Sequence, residues 1–445
     1  MFTKIAAYTI ATSLAFMSVG SIAKVSDDEA MKLGTQLTPV GAEKNGNASG
    51  TIPSWNVEPL SNIESILLES PKFEITASNA QQYKDNLTLG QLALLEKYPD
   101  SHKMRVFDTK RTATYPQRVY ELAKKNAVTA ELVQGGNGLI NFEETVPFPI
   151  PQSGLEVIWN HITRYRGGSV ERIIAQAPVK KNGDYTIVKI NDRLAWPQHL
   201  KGGYDAEKDN NMLFYYLQRV MEPARMTGNV LLVHETIDQV AEPRSAWLYN
   251  AGQRRVRRAP QVAYDSPGFA SESTRTTDNF DMYNGAPDRY HWELLGKQEL
   301  YIPYNSFQLA SKDLKYKQII QKGHLNPEFT RYELHRVWVV EATLKEDERH
   351  VYHKRRFYID EDTWQAAVID HYDGRGKLWR VAEAHEMQFT DANVPWFTAE
   401  TLHDLISGRM LMTGLTNEEK EGFNFGAESK RGDFTPGALR RSGKR

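Results

Sequence analysis

The stretch "RYELHRVWVVEATL", residues 331–344, decides the fold. Read with a period of two, Tyr332, Leu334, Trp338, Val340, Ala342 and Leu344 share one face, while Arg331, Glu333, His335, Glu341 and Thr343 share the other. Successive side chains of a strand point to opposite faces, so this alternation predicts a strand covered on one side. At ~3.3 Å per residue it would run for more than about 40 Å, well beyond the common five or six residues. Downstream, "HVYHKRRFYID" (350–360), "QAAVIDHY" (365–372) and "KLWRVAEAHEMQF" (377–389) are separated by "EDTW" and "DGRG", which are short enough for hairpins. Upstream, "DYTIVKIND", "LFYYLQRVME", "TGNVLLVHETID" and "SAWLYN" add further strands. From about 169 to 390 the chain therefore reads as one large, curved antiparallel sheet of an α+β fold.

Helical signals cluster before this sheet. Ser26 with Glu29, Thr88 with Gln91, and Ser153 with Glu156 have capping-box spacing, and Pro116 stands at a plausible first helical position. In "SGLEVIWNHITRYRGG", Leu155, Ile158, Trp159, Ile162 and Tyr165 recur at helical spacing, predicting a helix with one apolar face that ends at Gly167 and Gly168. "TPVGAEKNGNASGTIPSW" (38–55) is too rich in Gly, Asn, Ser and Pro for regular structure and reads as an ordered arm held by Trp55. The organisation that follows is a leader at 1–23, a helical and irregular extension at 24–152, a sheet with a lid helix at 153–395, and a C-terminal helix near "AETLHDLISGRM" with a flexible tail at 396–445.

Lys4, an uncharged stretch and the small residues Ser21 and Ala23 have the order of a secretory signal peptide cut after Ala23. An exported, soluble, periplasmic chain is expected, and nucleic acid is not an expected partner. Cysteine is absent, so disulfides, thiolate metal sites, thiol catalysis and a lipidated cysteine are all excluded. Lys and Arg number 55 against 56 Asp and Glu, leaving no global field to steer an anionic polymer.

Motifs for nucleotide phosphates, dinucleotides and serine hydrolases are missing, and no cofactor is expected. "HETID" (234–238) lacks the second histidine of a zinc-protease helix. His335, His350, His353, His371 and His385 lie on neighbouring predicted strands, but alternation puts His350 and His353 on opposite faces, so no metal site is expected. Asp278 with Asp281 could support acid–base chemistry if brought face to face, whereas Asp360, Glu361 and Asp362 fall in a predicted turn where exposed acids are ordinary. No catalytic residue is assigned.

Four stretches resemble one family: "LTPVGAEKNGNASGTIPSW", "WLYNAGQRRVRRAPQVAYD", "FDMYNGAPDRYHWELLGKQELYIPYNSF", and "YELHRVWVVEATL" followed by "RRFYIDEDTW". They look like the secreted Gram-negative proteins of domain-of-unknown-function family 1329, which resemble in turn the LolA and LolB lipoprotein-carrier superfamily. The resemblance implies an incomplete antiparallel β-barrel around an apolar cavity, with helices packed in its concave face, here carrying an N-terminal helical extension. It also implies transport of a hydrophobic or lipid-like cargo alongside an RND-type exporter or an outer-membrane protein, with transient contact at a membrane surface. This chain is about twice the length of the lipoprotein carriers and lacks a cysteine, so lipoprotein itself is a poor fit as cargo.

An acyl chain of about fourteen carbons gains on the order of 11 kcal/mol on leaving water, which is why such a cargo needs a carrier. Trp159, Ile162, Trp247, Tyr249 and Trp338 are the candidate lining of a cavity of a few hundred Å³. In "WLYNAGQRRVRRAP" (247–260), alternation separates Arg255 and Arg257 from Arg254 and Arg258, so they form no single basic face; Arg255 and Arg257 are candidates for an anionic head group or partner at the cavity mouth. Two other readings stay open: a non-catalytic envelope scaffold, with a filled barrel and an exposed apolar patch, and a secreted hydrolase using carboxylates or histidines in an open polar cleft.

Overall fold

Tyr332–Leu344 is a single strand, as the alternation predicts, but it is not covered on one side only. Val340 and Ala342 enter the main core, while Val337 and Val339 pack into a second cluster with Leu94 on the opposite face. Glu333, His335 and Arg336 are buried as well. The polar positions of the alternation therefore face protein, where neighbouring charges satisfy them.

The computed structural model describes residues 25–56, 58–259 and 264–443, so the leader at 1–23 lies outside the described residues. Thirteen longer strands build the sheet: β1 Ser169–Val179, β2 Val188–Ala195, β3 Met212–Glu222, β4 Val230–Thr236, β5 Ser245–Asn250, β6 Arg255–Arg258, β7 Tyr290–Pro303, β8 Tyr332–Leu344, β9 Lys354–Asp360, β10 Ala366–Tyr372, β11 Leu378–Phe389, β12 Val394–Asp404 and β13 Met410–Leu415. Two antiparallel meanders, β1 to β6 and β7 to β13, are joined where β13 pairs with β1. Phe73–Ile75, Met104–Val106 and Phe423–Phe425 extend the sheet locally, to 16 strands in all. Among the described residues the sheet stays open, with β6 at one end.

The predicted caps form. Thr88 and Gln91 make a reciprocal capping box at α1 (Leu89–Lys97), Pro116 precedes α2 (Gln117–Thr129), and the Ser153 hydroxyl accepts the Glu156 N–H at 3.3 Å to start α3 (Gly154–Thr163). The arm at 38–55 is ordered without helix or strand, and Trp55 Nε1–H donates to the Ala113 carbonyl at 3.2 Å.

The helix expected near "AETLHDLISGRM" is instead the hairpin of β12 and β13. Every residue of β12 is buried, so a period of two cannot appear in its hydropathy. Its buried Glu400, His403 and Asp404 imitated the polar side of a helix. Nor is the segment after it a loose tail: α4 (Pro436–Ser442) buries Ala438 and Leu439, and Phe434 beside it stacks on Tyr215 at 5.4 Å.

α3 is fully surrounded. Val157, Ile158, Trp159 and Ile162 are each at most 3% exposed within the core formed by the inner face of the sheet, and burying each such side chain contributes about 1.5–3 kcal/mol. Gly154 permits the approach, since a Cβ there would sit 3.0 Å from the Glu293 backbone of β7. The expected lid helix is thus core filling.

Candidate ligand pocket

A pocket remains at one end of the inner face. Phe214, Tyr216 and Gln218 of β3, Leu231, Val233 and Glu235 of β4, and Leu248 of β5 line it at strict two-residue spacing. Register brings them together: Tyr216 pairs with Val233, Gln218 with Leu231, and Leu231 with Leu248. The segment 264–284 roofs this surface through Phe269, Arg275 and Phe280. The cavity measures about 190 Å³. At roughly 30 Å³ per small group it takes a fragment of about six heavy atoms, smaller than the space expected for a whole lipid.

Arg275 gives the pocket its polarity. Gly268 N–H donates to the Arg275 carbonyl at 2.9 Å, and a Cβ on Gly268 would lie 2.7 Å from Arg275 Cγ, so the glycine seats the side chain. Among the described residues no carboxylate pairs with its guanidinium. Burial depresses its proton affinity while the neighbouring Glu400 opposes this, and arginine stays cationic throughout. Burial, reinforced by the Asp281 charge and opposed by Arg275 itself, pushes the Glu400 carboxyl up to about 8. The pocket's other charges are already matched, because Arg244 pairs with Glu235 at 2.9 Å.

Behind the roof lies a buried charge network. Asp281 accepts from Arg164 Nη2 at 2.6 Å, from Trp396 Nε1 at 3.0 Å and from Arg166 Nη1. Burial acts to raise the Asp281 carboxyl, but Arg164 and Arg166 outweigh it and hold it well below the usual carboxylate range. Asp278 is held down likewise, with burial overcome by Arg355 and His350. The two acids are therefore locked to different cations rather than facing each other.

The structure separates the predicted lining residues. Trp159 donates Nε1–H to the Gly136 carbonyl at 2.9 Å and, with Ile162, belongs to the packed core. Trp338 stacks on Trp364 with ring centres 6.1 Å apart, under the Lys297 ammonium. Trp247 and Tyr249 occupy the outer face of β5, in the cluster with Phe434 and Leu439 of the C-terminal segment. Their neighbour Leu248 lines the pocket instead, so the expected lining was displaced by one residue, which in a strand is a change of face.

The arginine hairpin forms as predicted, with Arg257 opposite Leu248 and Arg255 opposite Asn250. Cross-strand partners share a face, so both arginines stand on the pocket side of the sheet's edge, exposed. Asp360, Glu361 and Asp362, expected as exposed turn acids, are at most 3% exposed because Arg111 and Arg336 pair with Asp362 and Glu361. Arg275, Phe269 and Phe280 were not found from sequence, since a roof without regular structure carries no periodicity.

A family model described as "Protein of unknown function (DUF1329)" matches residues 74–440. The chain belongs to this family. A relative by full-length similarity is the uncharacterized protein PA3922 of Pseudomonas aeruginosa, 58% identical over 453 residues, covering 100% of this chain and 99% of that protein. Among solved structures, a DUF1329 family protein from Desulfovibrio piger aligns at 14% identity over 64% of this chain and 97% of its own, with a TM-score of 0.45. A putative outer membrane lipoprotein-sorting protein domain from Vibrio parahaemolyticus aligns at 15% identity over the same shares, with a TM-score of 0.43. No described helix is long and apolar enough to cross a membrane.

One prediction for this DUF1329 chain follows from its buried acids. Burial raises Asp370 to about 7, Glu383 to about 7 and Glu400 to about 8. Each folded value lies above the unfolded one, so the stability these acids confer is complete below the unfolded value and is lost as pH rises through the folded one. Above about pH 7.5 histidines are neutral in both states and no longer offset this. Each acid still titrating costs about 1.4 kcal/mol per pH unit. Urea unfolding should therefore weaken by about 1 kcal/mol between pH 7.5 and 9.5, and stability that rises over that window would contradict the burial of these groups.

Proposed function

We propose that this protein is a periplasmic carrier that takes the apolar end of an amphipathic molecule into the pocket beneath residues 264–284 and meets its anionic group with Arg275. The observation that carries this reading is an unpaired cation beside the apolar side chains of Phe214, Leu231, Val233, Leu248 and Phe280, in a pocket whose other charges, Arg244 and Glu235, pair with each other. Burying about six carbons contributes roughly 5 kcal/mol, and a charge-assisted hydrogen bond to Arg275 adds about 1.5–3 kcal/mol. The rest of a longer molecule would extend past the rim, where Arg255 and Arg257 are placed to meet further anionic groups or the acidic surface of an exporter or outer-membrane partner. The locked state of Asp278 and Asp281 supports carriage over hydrolysis, since neither is free to exchange a proton near neutral pH.

The test is saturable binding of a fluorescent fatty acid to the mature chain, with displacement by unlabelled decanoate. Leu248→Trp, which fills the pocket from its β5 side, should abolish binding while leaving the fold intact by circular dichroism. Undiminished binding in Leu248→Trp, or none in the wild-type chain, would overturn the reading.

A further inference from the structure

Away from the pocket, five buried carboxylates gather where the arm meets the sheet: Glu333 on β8, Asp360 at the end of β9, Glu361 and Asp362 in the following turn, and Glu386 on β11. Three have arginine partners. Arg331 Nε pairs with Glu333 at 2.6 Å, Arg336 Nε with Glu361 at 2.8 Å, and Arg111 Nη2 with Asp362 at 2.6 Å. Asp360 and Glu386 have no lysine or arginine partner among the described residues, and each keeps one buried oxygen, Asp360 Oδ1 and Glu386 Oε1, without a hydrogen bond. Their other oxygens share the Thr363 hydroxyl, at 2.9 and 3.1 Å, which brings the two carboxylates side by side.

His335 fixes the direction of the vacant valence. Its Nε2 lies 3.3 Å from Glu333 Oε2, an oxygen that also accepts the Lys110 N–H at 2.7 Å. Glu333 has an arginine and a backbone donor, so it is the acceptor and Nε2 carries the proton. Nδ1 faces the unpartnered Asp360 Oδ1 at 3.7 Å. That separation is too long for a good hydrogen bond. It suits two ligands on one ion, since atoms about 2.1 Å from a metal at an angle near 110° or wider lie about 3.4 Å apart or more. An oxygen of Asp362, whose two oxygens also accept from Arg111 Nε at 2.8 Å and Nη2 at 2.6 Å, completes a set whose members all lie within 4.8 Å of one another. An independent pointer comes from Tyr304, which stacks on His335 with ring centres 4.0 Å apart and whose buried hydroxyl also has no partner.

We infer that His335, Asp360 and Asp362 form a binding site for one divalent transition-metal ion, zinc or manganese by its donor set, with Glu386 Oε1 beside it as a further oxygen donor. One imidazole nitrogen with carboxylates and no thiolate suits zinc or manganese, whereas calcium favours an all-oxygen shell of six to eight ligands. Glu333 acts as the carboxylate that orients the histidine, the usual outer partner of a metal-bound imidazole. The site adjoins the arm: Glu361, next to both aspartates, accepts the Glu43 N–H on Oε2 at 3.2 Å, and Arg111, the partner of Asp362, reaches the Pro53 carbonyl with Nη1 at 3.4 Å.

The test uses the full mature chain, unfolded with chelator and refolded with ZnCl₂ or MnCl₂, then gel-filtered and assayed by elemental mass spectrometry. About one equivalent of metal should be retained, with a higher melting temperature than the chain refolded in chelator. Glu333→Gln should weaken metal affinity by about 10–100-fold, and Asp360→Asn should abolish retention; if Asp360→Asn fails to fold, His335→Gln is read in its place. As a control, His403→Gln, outside the site, should retain metal as the wild-type chain does. Less than about a tenth of an equivalent in the wild-type chain, or full retention in a folded Asp360→Asn or His335→Gln chain, overturns the inference.

Discussion

Asp281→Asn should destabilise the protein by about 3–5 kcal/mol, the range for removing one partner of a buried ion pair. The substitution leaves Arg164 and Arg166, each about 1% exposed, without the carboxylate they share. Neither can reach water or lose its proton, so their desolvation cost stands uncompensated. The damage should also spread. Arg164 caps α3 and binds Gln365 Oε1 at 2.7 Å, and Trp396 of β12 donates to the same carboxylate, so one group ties a helix, a turn and a strand to the roof of the pocket. Urea denaturation of the variant is the measurement. A loss below about 1 kcal/mol would mean that the guanidinium groups find other acceptors.

Arg275→Gln should reduce affinity for a long-chain carboxylate by about 10–100-fold while leaving affinity for the alcohol of equal length unchanged. The estimate is the contribution of about 1.5–3 kcal/mol from a charged hydrogen bond, at 1.4 kcal/mol per tenfold. The comparison isolates charge from burial, because both molecules place the same carbons against Phe214, Leu231, Val233 and Phe280. Equal losses for acid and alcohol would assign Arg275 a packing role. An unchanged carboxylate affinity would move the anionic contact out to Arg255 and Arg257 at the rim.

Much of the architecture was legible because hairpin turns and alternating strands leave local marks. The turns at 361–364 and 373–376, the arginine hairpin and the caps Thr88 and Ser153 all stand where the residues placed them. What failed did so for two physical reasons. Where both faces of a strand are buried, as in β12, hydropathy loses its period, and charged residues satisfied by internal partners pass for solvent-facing ones. Where a side chain's face must be known, an aromatic attracts attention whichever way it points: Trp247 and Tyr249 stood out in the sequence, but Leu248 between them meets the pocket. Arg275 and the His335 cluster depend on groups brought together across large sequence separations, and no local pattern announces them.

The pairing of β13 with β1 bears on how the molecule is made. Met410 lies opposite Val179, about 230 residues earlier in the chain. A polypeptide emerging N-terminus first completes β1 to β6 long before β13 exists, so the edge of β1 that β13 will cover stays open through most of synthesis. Contacts this distant are slow to form, and an unpaired edge invites pairing with other chains. Truncation before Met410 should therefore yield an aggregating chain rather than a smaller folded one, which gives β13 control over when the sheet is complete.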